Sequence, residues 1–243
     1  MNPEQDTMTV RERILKEARE EKKLSRTDYR PHLVPANFEE IRLKQYRTKR
    51  ILDLFLSLFS FLIFAALFPV IAIGIKLSSR GPVIFKQKRT GYHGHTFYCY
   101  KFRTMHLVSK SPKDGKPVVT EKGDKRIFWF GCLLRKLNLD ELPQILNVLK
   151  GDMSMVGPRP YPIEECAYWN TSFDDFFYRY ALKPGITGYA QVKGYRGGTH
   201  DVDHMRKRTD YDLIYVEKNS FLMDLKVIWK TVFQMISMKT NGH

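Results

Sequence analysis

Cysteine is scarce in this chain. The 243 residues contain three cysteines, at positions 99, 132 and 166, and no two of them form a CxxC pair. This argues against a disulfide framework and against the common structural zinc motifs. His93 and His95 flank a glycine, but no further metal ligands accompany them. We therefore expect reduced, cytosol-facing cysteines and no zinc site.

Acidic residues are also few relative to basic ones. Lysine and arginine number 41 against 26 aspartates and glutamates, which gives a formal net charge of +15. Such a surplus indicates an anionic partner, and composition leaves nucleic acid, anionic lipid and phosphorylated substrates open. We expect no cleavable signal peptide, because the first apolar run starts late and lacks a small-residue cleavage site. The length suits one domain with appendages.

Charge is absent from Leu54 to Ile75. At about 1.5 Å per residue this run can cross a hydrocarbon core of ~30 Å. A simple anchor normally has one flank richer in Lys and Arg, whereas both flanks are basic here. Pro69 removes a backbone donor near the middle and favours a break. We predict a re-entrant helix–break–helix with both ends on the cytoplasmic face, and a straight span with a proline kink stays open. The basic flanking residues are Arg42, Lys44, Arg47, Lys49, Arg50, Lys76, Arg80, Lys86, Lys88 and Arg89.

The remaining chain combines one hairpin with several helices. Residues 83–88 and 96–103 alternate in strand fashion around Gly91-Tyr-His-Gly94, which predicts a β-hairpin. Residues 106–124 have the composition of a surface loop. Hydrophobic spacing predicts helices at 127–137, 163–170, 173–180, 200–218 and 221–238. The last of these carries Trp229 beside lysines and suits either the core or a membrane interface.

The stretch with the clearest chemistry is 135–160, RKLNLDELPQILNVLKGDMSMVGPRP. Asp140 and Glu141 open an apolar helical run that stops at Lys150-Gly151. A helix N-terminus stabilises carboxylates, so we expect Asp140 to be ionised. Arg135 and Arg159 flank the pair. Arginines suit phosphate oxygens, and a carboxylate beside phosphate suggests a bridging divalent cation, although an ordinary helix cap stays open.

Several motifs occur in an order that resembles a known family. LDELPQILNVLKGDMSMVGPRP resembles the core signature of the bacterial sugar transferases, the monotopic phosphoglycosyl transferases. The likeness reaches back over KRILDLFLSLF, PVIFKQKRTG and YKFRTM, and forward through KPGITGYAQVKG and DYDLIYVEKNSFLMDLKVI. It covers the chain from Lys49 to Phe233 and implies the same monotopic membrane hairpin.

The resemblance also implies a reaction. Asp140 is the expected nucleophile and Glu141 the expected Mg²⁺ ligand. Lys101 is expected at the active site, where it would bind substrate phosphate or orient a carboxylate, while Arg135 and Arg159 would grip phosphates. Asp140 would attack a nucleoside diphosphate sugar, expel a nucleoside monophosphate and keep the phosphosugar. Polyprenyl phosphate, as undecaprenyl phosphate, would then take up the phosphosugar as a polyprenyl diphosphate sugar. The resemblance implies that this reaction would be a first membrane step of bacterial surface glycan synthesis.

Further residues are assigned around this site. We interpret Lys183–Gly188 as a glycine–proline loop whose exposed N–H groups form an anion-binding nest. Arg196 is assigned to phosphate binding, although family members commonly have this arginine directly after Gly194. Glu164-Glu165 is interpreted as a solvated face. The supporting loop residues are Pro158, Pro160, Gly185, Thr187 and Gln191.

Together these features predict an α+β, mainly helical fold. It would comprise a polar N-terminal extension (1–48), a re-entrant membrane hairpin (49–80) and a cytoplasmic helical catalytic domain with the small β-hairpin (81–240). Expected partners are a nucleoside diphosphate sugar, polyprenyl phosphate and inner-membrane lipid, with no nucleic acid and with homodimerisation left open. Two rivals remain: a membrane-anchored basic protein that binds lipid or nucleic acid without catalysis, and a glycosyl transferase that moves sugar without its phosphate.

Overall fold

The computed structural model describes residues 48–107, 120, 123–198 and 201–237. The predicted extension, except Thr48, and most of the predicted loop at 106–124 lie outside these residues, as do Arg42, Lys44 and Arg47. The described chain is mainly helical and contains two small two-stranded sheets. This confirms the coarse α+β prediction.

The apolar run forms a long helix, α1 (Lys49–Ser78). Pro69 lies inside α1 and the helix continues on both sides of it, so the predicted division into two helices is not observed. Among the described residues, α1 is the one helix long and apolar enough to cross a membrane. Many of its large apolar side chains are exposed, whereas Phe64, Ile71 and Ile75 are buried against the rest of the protein.

The predicted hairpin is confirmed. Strand β1 (Ile84–Thr90) pairs antiparallel with β2 (Thr96–Phe102), in a register that places Phe85 opposite Lys101. A 3-10 turn at Tyr92–Gly94 joins the two strands. The hairpin packs against α1, because the Phe102 ring lies 6.0 Å from the Phe64 ring, measured between centroids.

The segment that carries the two carboxylates follows helix α2 (Trp129–Lys136). Asn138 adopts a left-handed conformation (φ 55°) and leads into a 3-10 helix at Leu139–Gln144. The chain continues as α3 (Ile145–Lys150), which ends at left-handed Gly151 (φ 91°) as predicted. Asn138 occupies the cap position, so the interpretation of Asp140 as the helix cap is wrong.

The C-terminal half surrounds a second sheet. Strand β3 (Ser154–Val156) pairs parallel with β4 (Gly185–Thr187). The connection contains α4 (Ile163–Ser172) and a 3-10 helix at Phe176–Ala181. Three helices follow: α5 (Tyr189–Val192), α6 (Val202–Lys218) and α7 (Phe221–Ile236). The predicted helices in this half are therefore present, with the second of them 3-10 rather than α.

Buried polar contacts hold the start of α1 against this body. The Nζ atom of Lys49 lies 2.5 Å from Oδ2 of Asp224 at the start of α7, and both side chains are at most 3% exposed. Asp53 accepts hydrogen bonds from the Ser154 hydroxyl and the Met155 N–H, both at 2.9 Å. The topology prediction includes Lys49 among the basic flanking residues, but Lys49 is half of an internal ion pair.

Candidate active site

Strand β2 brings Lys101 to the paired carboxylates. Cys99, two residues earlier on the same face of the strand, is 1% exposed, so this face points into the protein. Lys101 continues that face, and its Nζ donates to Oε1 of Glu141 at 2.5 Å. The structure therefore places Lys101 beside the dyad, where the sequence analysis expected it.

Asn147 fixes the dyad segment to the hairpin. Its side-chain amide donates to the Tyr98 carbonyl at 2.7 Å, and its Oδ1 accepts from the Tyr100 N–H at 3.0 Å. The Asn147 side chain is fully buried and thus pairs with β2 much as another strand would. Sequence reasoning missed this residue, since an asparagine within an apolar helical run has no local partner that reveals its role.

Glu141 is held by two cations. Besides Lys101, the Arg159 guanidinium donates to both carboxylate oxygens of Glu141, at 2.6 and 3.2 Å. Burial by itself would raise the pKa of Glu141, but the charges and hydrogen bonds of Arg159 and Lys101 outweigh it and hold that pKa well below its usual range. Glu141 is therefore an ionised, immobilised carboxylate.

The loop at 157–160 holds Arg159 in position through backbone hydrogen bonds. The Pro158 carbonyl accepts from the Gly185 N–H at 3.0 Å. On the other side, the Pro160 carbonyl accepts from the buried Arg89 guanidinium at 2.5 Å. Both prolines therefore support the loop through their carbonyl groups, which remain available although proline has no N–H. Arg89, which was counted as a flanking charge, is a structural contact of this loop.

The Asp140 carboxylate differs from that of Glu141 in its side-chain partners. Across the described residues, no side chain forms a hydrogen bond or an ion pair with the Asp140 carboxylate. Burial raises its pKa to about 6, aided by the charge of Glu141 and opposed by Lys101, Arg135 and Arg159. Asp140 is thus mainly ionised at pH 7, as expected. Its burial disfavours the ionised form, however, whereas a position as a helix cap would stabilise it.

Arg135 approaches the dyad from the last turn of α2. Its Nε donates to the Thr104 hydroxyl at 2.9 Å, which orients the guanidinium. Burial lowers the pKa of Arg135 whereas Asp140 raises it, so the two groups are within electrostatic range. Thr104 was not among the predicted residues, because nothing in its local sequence links it to an arginine 31 positions away.

The prediction of an anion-binding nest at Lys183–Gly188 is wrong for its central amide, the Gly185 N–H. The Gly185 N–H is not exposed, since it donates to Pro158, and residues 185–187 form β4. The glycines serve close packing instead: a Cβ on Gly185 would lie 2.1 Å from the Gly157 nitrogen, and one on Gly188 would lie 2.3 Å from the Gly157 oxygen. The buried Thr187 hydroxyl pairs with Thr231 of α7 at 2.7 Å.

Arg196 and Gln191 lie together at the end of α5. The Arg196 Nε donates to the Gln191 carbonyl at 3.1 Å, and another guanidinium nitrogen donates to Oε1 of Gln234 at 3.0 Å. Burial lowers the pKa of Arg196, the charge of Arg159 lowers it further, and Glu141 raises it. Arg196 is therefore within electrostatic range of the dyad despite its shifted sequence position.

Glu165 is less exposed than the sequence predicts. The sequence predicts a solvated face here, but the Oε1 atom of Glu165 is buried and has no hydrogen-bond partner among the described residues. Burial raises the pKa of Glu165, while nearby Arg89 and Arg208 lower it. Only Glu164 of that pair is exposed.

The described residues offer no complete metal cage. No group of three or more His, Cys, Asp or Glu side chains that could hold a metal occurs in this part of the chain. Mg²⁺ commonly binds through one or two carboxylates and completes its shell with substrate phosphates and water. Adjacent Asp140 and Glu141 fit such a substrate-completed site, because one oxygen of Glu141 has only a 3.2 Å hydrogen bond to Arg159.

Comparisons with known proteins agree with this arrangement. The family model described as "Bacterial sugar transferase" matches residues 44–238. The UDP-glucose:undecaprenyl-phosphate glucose-1-phosphate transferase of Caulobacter vibrioides is 41% identical over 189 residues, which cover 78% of this chain and 70% of that protein.

Two other relatives are longer than the matched region. A Xanthomonas campestris protein of the same name is 43% identical over 170 residues, which cover 70% of this chain and 35% of that protein. The UDP-N-acetylgalactosamine-undecaprenyl-phosphate N-acetylgalactosaminephosphotransferase of Aeromonas hydrophila is 37% identical over 184 residues, which cover 76% of this chain and 42% of that protein. The matched region of this chain therefore covers less than half of each of these two relatives.

Proposed function

Since the chain belongs to the bacterial sugar transferase family, we propose that it transfers a sugar phosphate from a UDP-sugar to undecaprenyl phosphate. The three relatives are each named for a UDP-sugar and undecaprenyl phosphate, which supports both substrates. Their names differ in the sugar, glucose or N-acetylgalactosamine, so the proposal leaves the sugar open.

The observation that carries the proposal is the contrast between the two carboxylates. Glu141 is held by Lys101 and Arg159, whereas Asp140 has no such contact among the described residues. An ionised carboxylate that no hydrogen bond restrains retains its lone pairs for attack on phosphorus. The surrounding cations offset the repulsion between this carboxylate and an anionic diphosphate. We therefore assign Asp140 as the nucleophile.

The reaction then has two balanced steps. An Asp140 carboxylate oxygen forms a bond to the sugar-bearing phosphorus, and the bond from that phosphorus to the bridging oxygen breaks, so that UMP leaves. An oxygen of undecaprenyl phosphate next attacks the same phosphorus, and the bond to Asp140 breaks. The product is undecaprenyl diphosphate sugar, and the carboxylate is restored.

Four cationic side chains would stabilise the charge on phosphate. Arg159 and Lys101 fix Glu141 and face the same space, while Arg135 and Arg196 lie within electrostatic range of the dyad. Mg²⁺, held by Glu141 and substrate phosphate oxygens, would further neutralise the diphosphate. In this arrangement Glu141 would position the Mg²⁺, and Asp140 would form the bond to phosphorus.

We also propose that both ends of α1 lie on the cytoplasmic face of the inner membrane. Lys49, at the start of α1, is paired with Asp224, while Ser79, just past its end, accepts hydrogen bonds from Arg103. Arg103 directly follows β2, which Asn147 joins to α3, so both ends contact one body. A spanning helix would separate its ends by ~30 Å of hydrocarbon, and the body would then have to cross the membrane as well.

The released nucleotide tests the reaction. The protein, purified in detergent with Mg²⁺, is incubated with undecaprenyl phosphate and a panel of UDP-sugars, and nucleotides are separated by chromatography. The proposal predicts UMP and a lipid-linked diphosphate sugar in equal amounts for at least one UDP-sugar. Release of UDP would indicate transfer of the sugar alone. No turnover with any UDP-sugar, together with salt-sensitive binding to DNA, would favour the non-catalytic basic protein.

A further inference from the structure

A groove of about 430 Å³ lies on α7 and is lined by three lysines. Its wall consists of Lys218 at the end of α6 and of Lys226 and Lys230 on α7. Apolar side chains complete the lining, among them Val192, Leu222 and Val227. The volume is in the range of small-molecule sites. None of the residues assigned to the reaction lines it.

The groove carries positive charge that the described part of the protein does not neutralise. Lys218, Lys226 and Lys230 are exposed, and no described side chain forms an ion pair with any of them. None of the described carboxylates lines the groove. Exposed Glu217 is not part of the lining, and Asp224 is buried with Lys49. The groove therefore favours an anionic ligand.

An exposed apolar stripe borders the lysines. Successive helical residues are rotated by about 100°, so Leu222, Leu225 and Trp229 lie on one side of α7 with Lys226 beside them. Leu222 belongs to both surfaces, because it lines the groove and is 68% exposed. The exposed apolar side chains of the stripe are Leu222, Leu225, Trp229, Val232, Phe233 and Ile236. The surface thus combines a cationic cleft with an adjoining hydrocarbon-like face.

From this combination we propose that the groove binds the headgroup of an anionic phospholipid, with the acyl chains along the stripe. A soluble anion would use the lysines but not the stripe. A second copy of this chain, with its net charge of +15, lacks the complementary charge. A phospholipid with one phosphate satisfies both surfaces, and a tryptophan next to lysines is typical of the headgroup region.

A lipid bound in the groove would contact α7, the helix that also packs against residues near the active site. The face of α7 beyond the groove contacts the rest of the protein through Thr231, which bonds to Thr187, and Gln234, which bonds to Arg196. A lipid in the groove would restrain the same helix that holds these residues. The inference concerns binding, and its test uses no turnover, so it is independent of the proposed reaction.

Native mass spectrometry tests the site. The full chain in detergent is titrated with dioleoyl-phosphatidylglycerol or dioleoyl-phosphatidylcholine, and bound lipids are counted. Wild type should hold one phosphatidylglycerol at least about tenfold more tightly than phosphatidylcholine, since each well-placed lysine contributes about fivefold. The triple variant K218Q/K226Q/K230Q should lose this preference. The variant K86Q/K88Q/K207Q, which removes the same charge elsewhere, should keep it, and thermal unfolding should show both variants folded.

Three results would overturn the proposal. The variant K218Q/K226Q/K230Q could prefer phosphatidylglycerol as strongly as the control variant K86Q/K88Q/K207Q does. Inorganic phosphate or undecaprenyl phosphate could displace phosphatidylglycerol one for one, which would assign the groove to a soluble anion or to the acceptor lipid. Cross-links from the groove lysines to residues 1–47 in a chain that binds no lipid would show that the protein itself fills the groove.

Discussion

Asp140 and Glu141 are neighbours in the chain but have different electrostatic surroundings. Glu141 accepts hydrogen bonds from Lys101 and Arg159, which keep it ionised far below neutral pH. Asp140 is partly buried without such donors among the described residues, and its pKa rises to about 6. The dyad was predictable from its sequence motif, but the partners that distinguish the two residues lie 40 and 18 positions from Glu141.

The raised pKa of Asp140 predicts how the rate depends on pH. Below about pH 6 the nucleophile is increasingly protonated, so the rate of UMP release should fall, approaching tenfold per pH unit. Glu141 remains ionised over this range and should add no second inflection. The measurement is single-turnover UMP release between pH 5 and 8, with circular dichroism as the check that the fold persists. A rate that stayed constant down to pH 5 would contradict the raised pKa.

Arg159 is predicted to depend on its shape as well as on its charge. Lysine at this position would keep the charge but lose the two-pronged contact with Glu141, and we expect about 10²-fold slower turnover. Arg206 offers a matched control, because it forms a comparable two-pronged contact with Asp175 elsewhere. Turnover of Arg159→Lys and Arg206→Lys is compared under identical conditions. Equal rates in the two variants would show that the contact with Glu141 is not needed.

At the scale of elements, local patterns predicted most helices and the hairpin because each depends on its own periodicity. The glycines of the 185–188 segment illustrate the limit. A glycine that exposes N–H groups and a glycine that admits a neighbouring backbone are indistinguishable in sequence. Only the pairing of β3 with β4, formed by segments about 30 residues apart, shows that Gly185 and Gly157 need contact without side chains.

Gly185→Ala should therefore destabilise the fold. Its Cβ would lie 2.1 Å from a backbone nitrogen, and we expect a loss of about 3 kcal/mol or more. Gly194→Ala is the control: Gly194 has φ 97° and no described atom within 4 Å of its added Cβ, so we expect the backbone cost of about 1–2 kcal/mol alone. Thermal unfolding in detergent measures both. A smaller loss for Gly185→Ala than for Gly194→Ala would contradict the close-packing role.

Across the whole molecule, polar contacts bind the start of α1 to the folded body. Lys49 and Asp224 are 175 positions apart, so the sequence identifies Lys49 only as a basic residue that flanks the apolar run. Arg50 likewise donates to the Val148 and Leu149 carbonyls at the end of α3. Lys49 and Arg50 are therefore engaged inside the protein, whereas the topology prediction included both among the basic flanking residues. They agree with the proposed topology, since they hold the start of α1 against the same folded body that its other end contacts.

Cysteine labelling tests this topology. Thr48→Cys and Arg80→Cys, each made in a chain with exposed Cys132 changed to serine, place single reactive thiols at the two ends of α1. We expect neither to react with a membrane-impermeant maleimide in intact spheroplasts, and both to react in inverted vesicles. A periplasmic loop cysteine in a separate protein verifies that the reagent reaches the outer face. Labelling of one end from outside would indicate a spanning helix.

The covalent intermediate on Asp140 is the step that distinguishes the proposed mechanism from its rivals. The protein is incubated with a UDP-sugar and no acceptor, and intact mass spectrometry with peptide mapping locates any added phosphosugar. We predict one adduct, on Asp140, that disappears when undecaprenyl phosphate is added. Asp140→Asn should form none yet unfold at no lower temperature, because burial raises the Asp140 pKa and its charge opposes folding at neutral pH. An adduct on another residue, or one that persisted in Asp140→Asn, would contradict the central claim.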